Sequence, residues 1–145
     1  MISGQIIKSE IIVGGQRLPM GSSVELEASI VASLTVQNLS DIAIEMGVHW
    51  QLLDPTSTGP YHGVKQVYNS PAPHPEVVPG SSHVFDGSAL TVDMGGTWAI
   101  YAELWGRVSG GAWEMLNSIY VPLCVVEVVP QAEFRGFSLS GYNRV

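Results

Sequence analysis

The chain has one cysteine, Cys124, in 145 residues. That excludes an intramolecular disulfide framework and a zinc site built from cysteines. Cys124 lies inside the apolar run 121–129, where a thiol is expected to act as a small buried hydrophobe. Basic residues are scarce too: six Lys and Arg stand against thirteen Asp and Glu, a net charge of −7. Lys8, Arg17, Lys65, Arg107, Arg135 and Arg144 are scattered along the chain. They cannot form a phosphate footprint, so neither nucleic acid nor an anionic membrane surface is an expected partner. No apolar stretch approaches the roughly 20 residues of a membrane span. The opening residues lack a basic segment followed by an apolar one, so with Met1 as native start the chain is expected to be made in the cytoplasm. Charged residues make up only 13% while apolar residues reach 46%. A surface covered by so little charge is expected to be either sticky or partly buried against a partner.

Signatures of chemistry are also missing. There is no G-x-S-x-G segment, and Cys124 is expected inside a strand, so nucleophilic catalysis has no candidate. His49, His62, His74 and His83 form no close His-x-His or His-x₃-His pair beside a carboxylate, and no metal site is expected. Asp41, Asp54, Asp86 and Asp93 lie near expected turns without D-x-D-x-D spacing, which fits turn capping better than calcium. Glu103 and Glu114 flank one hairpin, and pairing with Arg107 or facing solvent is their expected role. No catalytic residue, metal or cofactor is assigned, and the chain is not expected to be an enzyme.

Alternation is what the sequence does have. Residues 5–13 (QIIKSEIIV) read as a first strand ending at Gly14-Gly15, and 16–23 as loop. Ile30, Ala32, Leu34 and Val36 share one face of a second strand. Met46, Val48, Trp50 and Leu52 share the apolar face of 44–53, opposite Gly47, His49 and Gln51. Residues 64–68 read as a short return strand, and 69–79, with Pro71, Pro73, Pro75 and Pro79, as an extended connection outside the sheet. Residues 82–92 read as strand with a change of face near Gly87, as at a bulge. In 97–105 Trp98, Ile100, Ala102 and Leu104 form one face and Thr97, Ala99, Tyr101, Glu103 and Trp105 the other.

Gly110-Gly111 predicts a two-residue hairpin turn. That register sets Arg107 opposite Glu114, Trp105 opposite Leu116, Tyr101 opposite Tyr120, Ala102 opposite Ile119 and Ile100 opposite Val121. Pro122 predicts that the last strand is a sheet edge over part of its length. With sixteen glycines, nine prolines and no helical period in any useful window, the class is all-β. The expected core comprises Leu34, Val36, Val48, Trp50, Leu52, Trp98, Ile100, Leu104, Ile119 and Val121.

These pieces resemble an immunoglobulin-like β-sandwich of the bacterial, archaeal and viral kind. The apolar strand ending in Asn38 matches the second strand, and Trp50 stands at the buried tryptophan of strand C. Pro79-Gly80 precedes a strand. Gly96-Thr97-Trp98-Ala99-Ile100 resembles the G-x-Y-x-C segment opening strand F. There Trp98 takes the place of the corner tyrosine and Ile100 that of the second cysteine. Both disulfide cysteines are absent, and the Trp98 indole N–H would have to find the carbonyl that the tyrosine hydroxyl finds. The resemblance implies an antiparallel sandwich of about seven to nine strands with extended termini. Residues 1–129 form the sandwich (core 30–129, strand or arm 1–29), and 130–145 form an arm or extra strand.

Tyr101, Trp105, Trp113 and Tyr120 fall on the outer face or tip of the expected hairpin, and Phe134, Phe137 and Tyr142 on the last segment. Together they are the candidate interface. The expected function is a non-enzymatic assembly protein: a virion component such as a capsid decoration or head–tail accessory protein, made in the host cytoplasm. Its partners would be capsid or tail proteins or further copies of itself. The alternative is a carbohydrate-binding or adhesive module at a cell surface that uses the same aromatics.

Overall fold

The structure is a computed structural model, and it describes residues 1–128. The last expected arm, with Phe134, Phe137 and Tyr142, lies outside the described residues. Ten strands follow in order: β1 Gly4–Val13, β2 Gln16–Pro19, β3 Ser23–Glu25, β4 Ser29–Asn38, β5 Ile44–Leu53, β6 Val64–Asn69, β7 Glu76–Val77, β8 Ser82–Thr91, β9 Gly96–Arg107 and β10 Glu114–Glu127. They make two sheets, β2-β1-β4-β8 and β3-β10-β9-β5-β6, with β7 paired to β5 beyond Ser70. The fold is an all-β, immunoglobulin-like sandwich. Its strands exceed the seven to nine expected because β2, β3 and β7 are short pieces with little periodic signal.

The two apolar faces read from the sequence meet between the sheets. Ile30, Ala32, Leu34 and Val36 of β4 face Met46, Val48, Trp50 and Leu52 of β5 and Trp98, Ile100, Ala102 and Leu104 of β9, all buried. Each large side chain so buried stabilises the fold by about 1.5–3 kcal/mol. Ile119 and Val121 pack at the margin of this core and remain half-buried. Cys124 is buried with no exposed sulfur to react, and burial pushes its thiol up to about 11.

The N-terminal segment is not a free arm. β1 runs antiparallel to β4 along its whole length, from Gly4 opposite Asn38 to Val13 opposite Ile30. It then turns through Gly14 and Gly15, at φ 58° and 80°, into β2. Two successive positive φ values define a primed turn, so the stretch read as loop from Gln16 is a hairpin. β3 adds to β10 in parallel at Val125, Val126 and Glu127. Among the described residues, β10 from Glu114 to Cys124 has a ladder partner only in β9.

At the corner between the sheets, the Trp98 indole N–H donates to the Met94 carbonyl at 2.9 Å. It thus makes a hydrogen bond back to the chain four residues upstream, the bond that a corner tyrosine makes in this fold. Gly87 sits in the β8 bulge opposite Ala32, where two residues face one.

Three carboxylates are held below their ordinary range. Asp86 accepts from the Ser33 hydroxyl at 2.6 Å and from Arg17 at 3.0 Å; the Ser33 bond is the leading cause, followed by Arg17. Asp54 accepts from the Thr56 hydroxyl and backbone at 2.5 and 2.8 Å, with Lys65 at 3.7 Å. Glu45 is lowered chiefly by its hydrogen bond from Arg107. A carboxylate lowered on folding adds stability that is present above its unfolded pKa of about 4 and is lost as the pH falls through the folded value. The unfolding midpoint is therefore expected to be flat above about pH 5 and to fall below about pH 4. In Asp54→Asn that fall should be shallower. Melting curves by circular dichroism across this range test it; parallel curves for the two proteins would contradict the assignment.

Candidate functional site

The outer face of the larger sheet carries a groove of about 420 Å³. Its floor is Gly47, Val48 and His49 of β5 with Glu103 and Trp105 of β9; its walls are Asn69, Ser70, His74 and Trp113. Alternation places His49, Glu103 and Trp105 outward while Trp50, Ala102 and Leu104 point to the core. His49 stands opposite Glu103, and Gly47 opposite Trp105, in the β5–β9 ladder. A Cβ on Gly47 would come within 3.0 Å of both the His74 ring and the Ser70 hydroxyl, so glycine there keeps the floor open.

Each group is held. The Ser70 hydroxyl accepts from the Val48 N–H at 2.9 Å, and the Ser70 N–H donates to the Val48 carbonyl at 3.0 Å. These bonds tie the start of the proline-rich connection to β5 and bring His74 over the groove. The His74 ring meets the Trp113 ring edge-on, with centroids 4.8 Å apart. The Arg107 guanidinium lies 4.6 Å from the Trp113 ring centre and bonds Glu45 through Nε at 2.6 Å. His49 Nδ1 is 2.6 Å from Asn69 Oδ1.

Glu103 is the hub. Its two oxygens accept from the Tyr101 hydroxyl at 2.9 Å and the Trp105 indole N–H at 3.0 Å. The Glu103 carboxylate, by accepting that bond, keeps the Tyr101 proton in place and pushes the phenol up to about 12; burial adds to the effect. The aromatic rings beside Glu103 are thereby fixed rather than free to rotate. Beyond Tyr101 the face continues: its ring meets Tyr61 at 6.0 Å and Tyr120 at 6.3 Å, both edge-on.

Tyr101, Trp105 and Trp113 are half-buried and Tyr120 is 51% exposed. Tyr101 opposes Tyr120, Ala102 opposes Ile119 and Ile100 opposes Val121, as the register argument required. Nearer the turn that register fails. Trp105 opposes Met115 and Glu114 opposes Gly106, because Leu116 is an extra residue in β10 and the strands are joined by residues 108–113. Leu116 occupies the space beside Gly4 and Gly106, close to where a Cβ on either would lie, which accounts for the bulge. Arg107 consequently meets Glu45 of β5 and not Glu114. The site residues missed in the sequence are His49, Asn69, His74 and Glu45. The first was legible as an outward residue; the other three needed the β5–β6 and β5–β9 pairings and the path of the proline-rich connection. Among the described residues no three of His, Cys, Asp and Glu converge as metal ligands.

Solved structures share the architecture. The C-terminal domain of wzt matches with a TM-score of 0.63 at 14% identity, over 94% of this chain and 86% of that one. A Bordetella pertussis protein called ApaA matches at 0.54 and 10% identity, over 83% and 93%. Beta-glucuronidase 2 of Bacteroides uniformis matches at 0.50 and 10% identity, over 80% of this chain but 13% of that one. At such identities the likeness is one of fold. No protein-family model matches the chain. No curated protein matches it in sequence. The chain has the immunoglobulin-like sandwich fold.

Proposed function

We propose that this is a non-enzymatic binding module whose working surface is the outer face of the β10-β9-β5-β6 sheet, and that its ligand is a glycan. The observation that carries the reading is the groove itself. Two tryptophans and two histidines surround a carboxylate and an amide in one open cleft. Aromatic faces take up the apolar side of a sugar ring while Glu103 and Asn69 address its hydroxyls. The partners of the carboxylates support binding over acid–base work. Glu103 already accepts from Tyr101 and Trp105, and Glu45 is paired with Arg107.

A glycan array, followed by calorimetric titration of the retained sugars, tests this. Trp105→Ala is expected to weaken binding at least tenfold, about 1.4 kcal/mol, and Glu103→Gln comparably, with circular dichroism unchanged. No retained glycan, or full affinity in Trp105→Ala, would overturn the reading.

A second reading keeps the module and changes the partner to protein: a capsid or tail protein, or a further copy, within a virion. It draws on apolar side chains exposed on both sheets, with Val67 at 53%, Val84 at 47% and Ile7 at 46%. The aromatic residues of segment 130–145, Phe134, Phe137 and Tyr142, would add to that surface. Light scattering separates the two: a stable oligomer without glycan binding supports assembly.

A further inference from the structure

We infer that the face takes an extended, uncharged oligosaccharide rather than a single sugar, lying along β9 across two aromatic subsites. The inference rests on the glycan reading above. One subsite is the groove at Trp105 and Trp113. The other is the tyrosine group at the opposite end of the face, where Tyr61 and Tyr120 flank Tyr101 and are 65% and 51% exposed. Tyr101 and Trp105 are four residues apart on one strand, about 13 Å at 3.3 Å per residue. One side chain joins them, since Glu103 accepts from the hydroxyl of one and the indole of the other. A carboxylate between two ring clusters offers acceptors to the hydroxyls of a chain passing from one to the other.

The charge pattern selects the chemistry. Glu103 is the charge at the centre of the face, and the whole chain carries −7. Two cations border this sheet among the described residues, and both are engaged. Lys65 lies 3.7 Å from Asp54, and Arg107 is bonded to Glu45 while covering Trp113. Both cations already have carboxylate partners, His49 and His74 are set against Asn69 and Trp113, and Glu103 repels a uronate, sialate or phosphate. A neutral chain meets the rings, the Glu103 acceptors and the Asn69 amide without that repulsion.

The test is calorimetric titration of the full chain with neutral glucans, mannans and chitin oligomers, from mono- to hexasaccharides, beside uronate-containing oligomers of the same lengths. Affinity for the neutral series is expected to rise at least tenfold with length. The double variant Tyr61→Ala, Tyr120→Ala should erase that rise, whereas Trp105→Ala should lower affinity at every length. Both tyrosines are exposed, so the double variant is expected to fold. Binding that is independent of length, a double variant indistinguishable from wild type, or preference for uronate-containing chains would each overturn this inference while leaving the glycan reading standing. Absence of binding by any glycan overturns both.

Discussion

Trp98→Ala should lower stability by about 3–5 kcal/mol, the range for emptying a large buried aromatic site. Trp98 is fully buried and packs where β9 begins, at the corner joining the two sheets. Its loss leaves a void in the core and also strands the Met94 carbonyl, which now receives the indole N–H. At roughly 4 °C per kcal/mol for a domain of this size, the melting temperature should drop by about 12–20 °C. Trp98→Phe separates the two contributions. It keeps most of the ring in the core and removes the hydrogen bond, so a loss of about 1–2 kcal/mol is expected. Chemical denaturation of the three proteins measures this directly. If Trp98→Ala cost less than about 1 kcal/mol, the corner would not be a stabilising element of this fold. The loss matters because domains of this kind have only about 5–15 kcal/mol in hand.

The strands that carry the core were legible because burial on one face imposes a period of two. Trp50, Trp98 and Leu104 announced themselves in that way, and the sheets simply bring the faces together. The bulge at Gly87 was legible for a related reason, since the apolar set changes parity there. What stayed hidden was set by partners distant in sequence. Arg107 had a plausible mate in Glu114, seven residues on, and its actual mate is Glu45, sixty-two residues back. Choosing between them required knowing that β5 lies beside β9 and that Leu116 inserts an extra residue next to Gly4 and Gly106. His74 is the same case in the candidate site. It belongs to a proline-rich connection with no periodicity, and two bonds between Ser70 and Val48 bring it over Trp113. The N-terminal strand shows the converse. Its alternation was clear, but residues 5–13 alone could not say that β4 of the same chain would take it up, so the segment read as a strand or arm.

Gly87→Ala should destabilise where such a change ordinarily helps. Replacing glycine by alanine in extended backbone commonly stabilises by about 0.4–1 kcal/mol, because the unfolded chain loses freedom. Here a Cβ would stand 2.5 Å from Cζ2 of Trp50 and 3.3 Å from Cη2. Trp50 has nowhere to retreat: it is fully buried and stacked on Tyr68, with ring centroids 4.4 Å apart. Overpacking of this sort costs about 1–3 kcal/mol, enough to reverse the sign, and Gly87→Val should cost more. Trp50→Phe supplies the control. Among the described residues the Trp50 indole N–H has no hydrogen-bond partner, so that change removes ring volume without stranding an acceptor there. In the Trp50→Phe background Gly87→Ala should lose at least half of its cost, an interaction of about 1 kcal/mol in a double-mutant cycle. Additive effects would show that the clash is relieved elsewhere. The same contact links the core to the proposed binding face. His49 is the neighbour of Trp50 on β5 and points into the groove on the opposite side of the sheet. A tryptophan displaced by Gly87→Ala moves the strand that carries His49, so ligand affinity should fall together with stability and recover with it in the double variant.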